Sequence, residues 1–131
     1  MFDRVFGNVE YNYGWCKPET IELFGVSYEV TCVASAYKNE MPSQQQRVQH
    51  EVFALKRKEL LGQVEDILKQ YVQKNYADYF ERLKESIIPK ELIFHQDGET
   101  GILFECEWDV ETEIAVGILP EVKIINPDNF L

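Results

Sequence analysis

The first forty residues alternate. Val9, Tyr11 and Tyr13 stand between polar neighbours and Gly14 interrupts them; residues 20–24 run to Gly25, and residues 26–33 alternate again. β-Branched and aromatic residues on every second position, bounded by glycines, predict an antiparallel meander of two or three strands with one buried face. The period changes after Pro42. Ser43 followed by Gln46 has the spacing of a capping box, and no glycine or proline intervenes until Gly62. Phe53, Leu60, Val64, Ile67 and Tyr71 recur every three to four residues, with Leu61 and Leu68 beside them. That stripe predicts one long helix laid on a sheet. Arg57 falls within it, where its stem can cover apolar surface while its head reaches water.

Val48, Val52 and Leu55 also recur at helical spacing, but about 150° from the main stripe at 100° per residue. The first half of the helix therefore carries a second apolar face. Burial beneath the strand-to-helix loop is one explanation and a homodimer or partner contact is the other. Residues 76–86 predict a shorter helix with Tyr79, Phe80 and Leu83 inward, stopped by Pro89. Strands follow at 92–95, 102–108, 114–119 and 122–125, with a hairpin turn at Asp97-Gly98. The whole reads as a single α+β domain over 1–131. Its antiparallel sheet, an N-terminal meander and C-terminal strands, packs on one long helix and a second shorter one.

Composition fits this picture. A chain of 131 residues with 45% apolar and 13% aromatic residues makes one ordinary core without metal or disulfide help. No apolar run approaches the length of a membrane span. No basic n-region and apolar h-region open the chain, and Cys16, Cys32 and Cys106 are odd in number and widely spaced. These features predict buried thiols in a reducing cytoplasm. The formal charge is −10, which argues against nucleic acid and suits a basic protein partner.

That charge is unevenly placed. Residues 1–42 carry −3, residues 43–90 carry +2 and residues 91–131 carry −9. Within the last segment Glu105, Glu107, Asp109, Glu111 and Glu113 occupy every second position, and no Lys or Arg stands between 91 and 122. One continuous strand would place five carboxylates on one face. A turn within 109–112 would instead bring Glu105 or Glu107 opposite Glu113, at a cost of a few tenths to about 1 kcal/mol. Either geometry concentrates negative charge. A regular strand spreads carboxylates too far apart for Ca²⁺, and no EF-hand loop is present.

Motifs for catalysis are few. His50 has no second histidine four residues on, so it is no H-E-x-x-H zinc site. No nucleophile elbow, Walker loop or G-x-G-x-x-G is present. A Cys106–His95 dyad is the one conceivable nucleophilic pair. Tyr11, Tyr13, Trp15, Tyr28 and Tyr37 would line a sugar or peptide groove if they converged. Neither a metal nor a cofactor is called for.

The order Ile21-Glu22-Leu23-Phe24-Gly25, then Gln44-Gln45-Gln46, then Leu68-Lys69-Gln70-Tyr71, then 101–109 with Phe104-x-Cys106-x-Trp108-Asp109, resembles a family of uncharacterised bacterial domains. The resemblance spans the chain, includes the strand Ala115-Val116-Gly117-Ile118, and departs where Glu111-Thr112-Glu113 replaces Glu-His-Gly. In general character it implies a likeness to immunity proteins of bacterial toxin systems, and it assigns no catalytic residue. The sequence thus predicts a non-enzymatic protein-binding domain docking a basic partner through Glu105, Glu107, Asp109, Glu111 and Glu113. A homodimeric assembly protein using Val48, Val52 and Leu55 is the alternative, and a small enzyme using Cys106 and His95 the third.

Overall fold

A computed structural model describes residues 1–125, with the backbone alone at 109–112. The elements run β1 (Phe2–Asp3), β2 (Gly7–Asn8), β3 (Glu10–Tyr11), β4 (Trp15–Leu23), β5 (Val26–Ala34), α1 (Gln44–Leu55), α2 (Arg57–Asn75), a 3₁₀ stretch (Ala77–Arg82), α3 (Leu83–Ser86), β6 (Ile87–Phe94), β7 (Thr100–Cys106), β8 (Asp109–Leu119) and β9 (Lys123–Ile125). Among the described residues β3 to β9 form one seven-stranded sheet in sequence order, and β1–β2 make a separate small hairpin. The α+β class and the mostly antiparallel pairing match the expectation.

The sheet departs from it at one seam. β5 and β6 pair in parallel, Thr31–Ala34 against Glu91–Phe94. The physical reason is the connection: the helices carry the chain back across the sheet, so the next strand starts from the end where β5 started. β4 and β5 are joined by Phe24 and Gly25, both at positive φ (54° and 74°). That is the two-residue turn whose twist matches paired strands, and Gly25 supplies one of its two left-handed positions freely.

The core lies between the sheet and the helices. Ile21 and Leu23 of β4, Cys32 and Ala34 of β5, Leu92 and Phe94 of β6, Ile102 and Phe104 of β7, and Ile114 and Val116 of β8 face Phe53, Leu60, Val64, Leu68 and Val72. The stripe read from the sequence is therefore the buried one. Each fully buried Leu or Ile on it contributes about 2 kcal/mol of apolar transfer.

Three helical expectations are corrected. The long helix is two helices, interrupted at Lys56 (φ −107°, ψ 18°). No glycine or proline marks the break; it falls where Arg57 turns to reach β4, donating to the Thr20 carbonyl and pairing with Glu19 at 3.4 Å. Residues 76–86 form a 3₁₀ stretch and a single α turn rather than one helix. Pro89 does not stop that helix; it lies inside β6, beside a register shift between Pro89 and Glu91. It is tolerated there because β5 pairs only from Glu91 onward, so one side of β6 asks nothing of position 89. The capping box at Ser43 and Gln46 is formed in both directions.

Candidate functional site

The acidic residues are built onto a hairpin. β7 and β8 pair antiparallel with Glu105 opposite Glu113 and Cys106 opposite Asp109. The turn is at Glu107 and Trp108, earlier in the chain than a turn within 109–112. Glu107 N–H donates to the Ser86 carbonyl at 2.8 Å, which ties the turn to the end of α3. Trp108 stacks on Tyr76 at 5.2 Å and 24° and lies 5.8 Å from Tyr79. It packs on the core from within the turn and clamps the hairpin to the helical layer. The side chains of Asp109 and Glu111 lie outside the described residues.

Alternation then sets the faces. Ile102, Phe104 and Cys106 point to the helices, so Leu103 and Glu105 point to the helix-free side, with Ala115 and Glu113 opposite them. Glu91 of β6 is opposite Leu103 and shares that side. Three glutamates from three adjacent strands thus surround Leu103. Burial raises the Glu91 carboxyl and the charge of Glu113 raises it further, while a hydrogen bond from Tyr13 works against them, and the net direction is upward. Tyr13 itself is pushed up to about 12 by burial, by the charge of Glu91 and by Cys16. The described cations nearby are exposed: Lys90 sits 3.6 Å from Glu105, with side chains 45% and 60% exposed. Such a pair contributes at most a few tenths of a kcal/mol.

Glu91 is not marked by the sequence pattern, and neither is its pairing with Tyr13, which alternation places only as a strand or groove aromatic. Glu91 lies within β6, 14 residues before Glu105, and Tyr13 belongs to a loop beyond β3, so only pairing β5 with β6 brings them together.

The other candidates separate. His95 follows the end of β6 whose Phe94 pairs with Thr100, whereas Cys106 pairs with Ile87 at the opposite end. Six residues of strand, about 20 Å at 3.3 Å each, divide them, so there is no Cys106–His95 dyad; His95 Nδ1 lies 3.1 Å from Asp97. The aromatic groove does not assemble either. Tyr11 donates to the Ala36 carbonyl and Trp15 Nε1 to the Glu40 carbonyl, pinning the loop before α1, while Tyr28 reaches the Lys84 carbonyl and Tyr13 faces the other side. Val48 and Leu55 are 44% and 87% exposed, so the loop before α1 does not bury that face. Among the described residues no three His, Cys, Asp or Glu gather as metal ligands, and no helix is long and apolar enough to cross a membrane.

His50 is half-buried against Phe6 (4.6 Å) and Phe94 (5.3 Å), and its Nε2 lies 3.1 Å from the Lys17 ammonium. Burial first and Lys17 second bring its pKa down to about 4, against the opposing pull of Glu19 and Asp3. The folded state therefore holds the neutral ring while the unfolded chain binds a proton, so stability falls as pH drops from about 6.5 to about 4. Allowing for solvent screening of a half-buried group, the loss is about 1–2 kcal/mol. Urea unfolding across this window, with His50→Gln showing a flatter profile, checks it; an identical slope in the variant removes the assignment.

Comparison with protein-family models, with curated proteins and with solved structures finds no match.

Proposed function

We propose that this chain is a non-enzymatic protein-binding domain that docks a basic partner on the β7–β8 hairpin, with an immunity-type inhibitor as the most concrete form. The observation that supports it is the direct opposition of Glu105 and Glu113, with Glu91 on the same face of the sheet and, among the described residues, the exposed Lys90 as the cation paired with Glu105. Like charges facing each other across strands cost the isolated domain a few tenths to about 1 kcal/mol. A cationic partner surface would remove that repulsion, speed association and fix orientation. Glu105, Glu107 and Glu113, with Asp109 and Glu111 of the same hairpin, are the contact residues in this reading. Replacing Glu105, Glu107 and Glu113 by Gln is expected to weaken capture of the basic partner about tenfold or more and to flatten its salt dependence. Binding by the triple variant with unchanged affinity and salt slope removes the reading.

A second reading, a homodimer through α1, is favoured by the exposure of Val48 and Leu55 on the same face as Val52. Sedimentation decides it. Val52→Glu is expected to lower the wild-type mass to that of one chain; one-chain mass in both proteins ends the dimer.

A further inference from the structure

The β4 edge carries a device that neither reading uses. In a two-residue hairpin the closing pair, here Leu23 and Val26, exchanges both backbone hydrogen bonds, and pairs then alternate along the ladder. Counting back from Leu23, residues Ile21, Glu19 and Lys17 bond to β5. Glu22, Thr20, Pro18 and Cys16 turn their N–H and C=O groups outward. β3 covers only the first two residues of β4, Trp15 and Cys16. From Lys17 to Leu23 no strand among the described residues pairs on the outer side. An unpaired run of this length is a template for another strand.

Two features stand on the outward positions. Pro18 has no N–H to offer, and its place there leaves the β5 ladder intact. The Thr20 carbonyl accepts from the Arg57 guanidinium, which is itself held by Glu19 at 3.4 Å and laid over the Phe53 ring at 5.3 Å. We infer that Arg57 is an edge guard: it fills the outward acceptor at the centre of β4 and so keeps the strand from pairing with β4 of a second copy of this chain. The second copy is the occupant because the edge is self-complementary. In an antiparallel pairing centred on Thr20, each Thr20 N–H meets the other Thr20 carbonyl, each Glu22 N–H meets a Pro18 carbonyl, and no two like charges stand directly opposite. The acceptor at the centre of that pairing is the one Arg57 occupies.

The guard also accounts for the break at Lys56. A straight helix would carry Arg57 along the stripe, whereas the interruption lets it turn to the sheet edge. The test is sedimentation of Arg57→Met, which keeps an apolar stem over Phe53 and removes every donor. It is expected to gain a concentration-dependent rise in mass over wild type, up to a doubling. Thr20→Pro in the same background deletes the central outward N–H, leaves the backbone ladder to β5 intact and gives up only the exposed Thr20 hydroxyl bond to the Glu29 carboxylate; it is expected to abolish the rise. Glu19→Gln, which removes the ion pair but leaves the edge contact, is expected to sediment as wild type. Thermal melts of each variant separate pairing from unfolding. The inference is overturned if folded Arg57→Met sediments as wild type, if Thr20→Pro leaves the added mass in place, or if the rise accompanies loss of the folded state. It does not rest on the acidic hairpin, and the glutamine variants of that hairpin leave it unaffected.

Discussion

Gln46→Ala is expected to lower stability by about 3 kcal/mol, a large fraction of the margin of an ordinary domain. Gln46 is fully buried, and its side chain joins three elements. Its Oε1 accepts from Ser43 N–H at 2.7 Å, closing the capping box; its Nε2 donates to the Ser35 carbonyl at 2.7 Å and to the Phe94 carbonyl at 2.8 Å. The two carbonyls lie at the ends of β5 and β6, where Ser35 N–H also donates to Phe94. Truncation leaves the Ser35 carbonyl and the Ser43 N–H without these partners and opens a small void, while Phe94 keeps its second donor. Gln46→Glu sharpens the expectation. It retains the acceptor for Ser43 but sets a carboxylate oxygen against two carbonyls, so the folded state raises its pKa. Such a variant gains stability as pH falls, the reverse of the wild-type trend. Urea midpoints at neutral and acid pH measure both, and a Gln46→Ala loss under 1 kcal/mol would show that the three elements hold without it.

Asp3→Ala is expected to cost about 3–5 kcal/mol, because it breaks a buried pair and leaves one charge uncompensated. The Asp3 side chain is 0% exposed and the Arg47 side chain 18%. One oxygen accepts from Arg47 Nε at 3.0 Å and Nη2 at 2.6 Å, the other from the N–H groups of Val5 and Phe6 at 3.0 Å each. Burial pulls this carboxyl upward, but Arg47 and the two amides outweigh it, so the net direction is down from 3.8. A depressed carboxylate contributes stability that is present above its unfolded value and is lost as pH falls through the folded one. The Asp3 loss therefore lies below pH 3.8 and is separate from the His50 window above about 4. Asp3→Asn is expected to lose most of the pairing at neutral pH while removing the acid step below 3.8 from the unfolding profile. An acid step that persists in Asp3→Asn assigns it to another carboxylate.

Both sites lie at the N-terminal end of α1, and both join it to distant chain. Asp3 fastens the β1–β2 hairpin to the helix, and Gln46 fastens the helix to the seam between β5 and β6. That seam is also what carries Glu91 beside the hairpin glutamates. Loosening Gln46 is thus expected to disturb the acidic face as well as the core.

Local patterns were legible in the sequence wherever the physics is local. The Ser43–Gln46 capping box needs only four residues of chain, and it forms as read. Strand alternation set the inward faces of β5 and β7, and the three-to-four spacing of Phe53, Leu60, Val64 and Leu68 picked out the buried side of the helices. Trp108 also packs on the core, but it stands in the turn, outside either strand, and Tyr76 and Tyr79 hold it there. What the sequence could not decide depends on partners far along the chain. The break at Lys56 has no glycine or proline to announce it and coincides with Arg57 meeting β4, nearly forty residues earlier. Pro89 is admissible within β6 only because β5 ends its pairing at Glu91. The acidic residues 105–113 read equally as strand or hairpin, since alternation is the same in both, and the turn at Glu107–Trp108 is set by contacts with Ser86 and Tyr76. Spacing along the chain determined which residues share a face. Tertiary structure decided which faces meet, because a side chain's partner, and with it its charge state and exposure, belongs to whichever strand or helix the fold sets beside it.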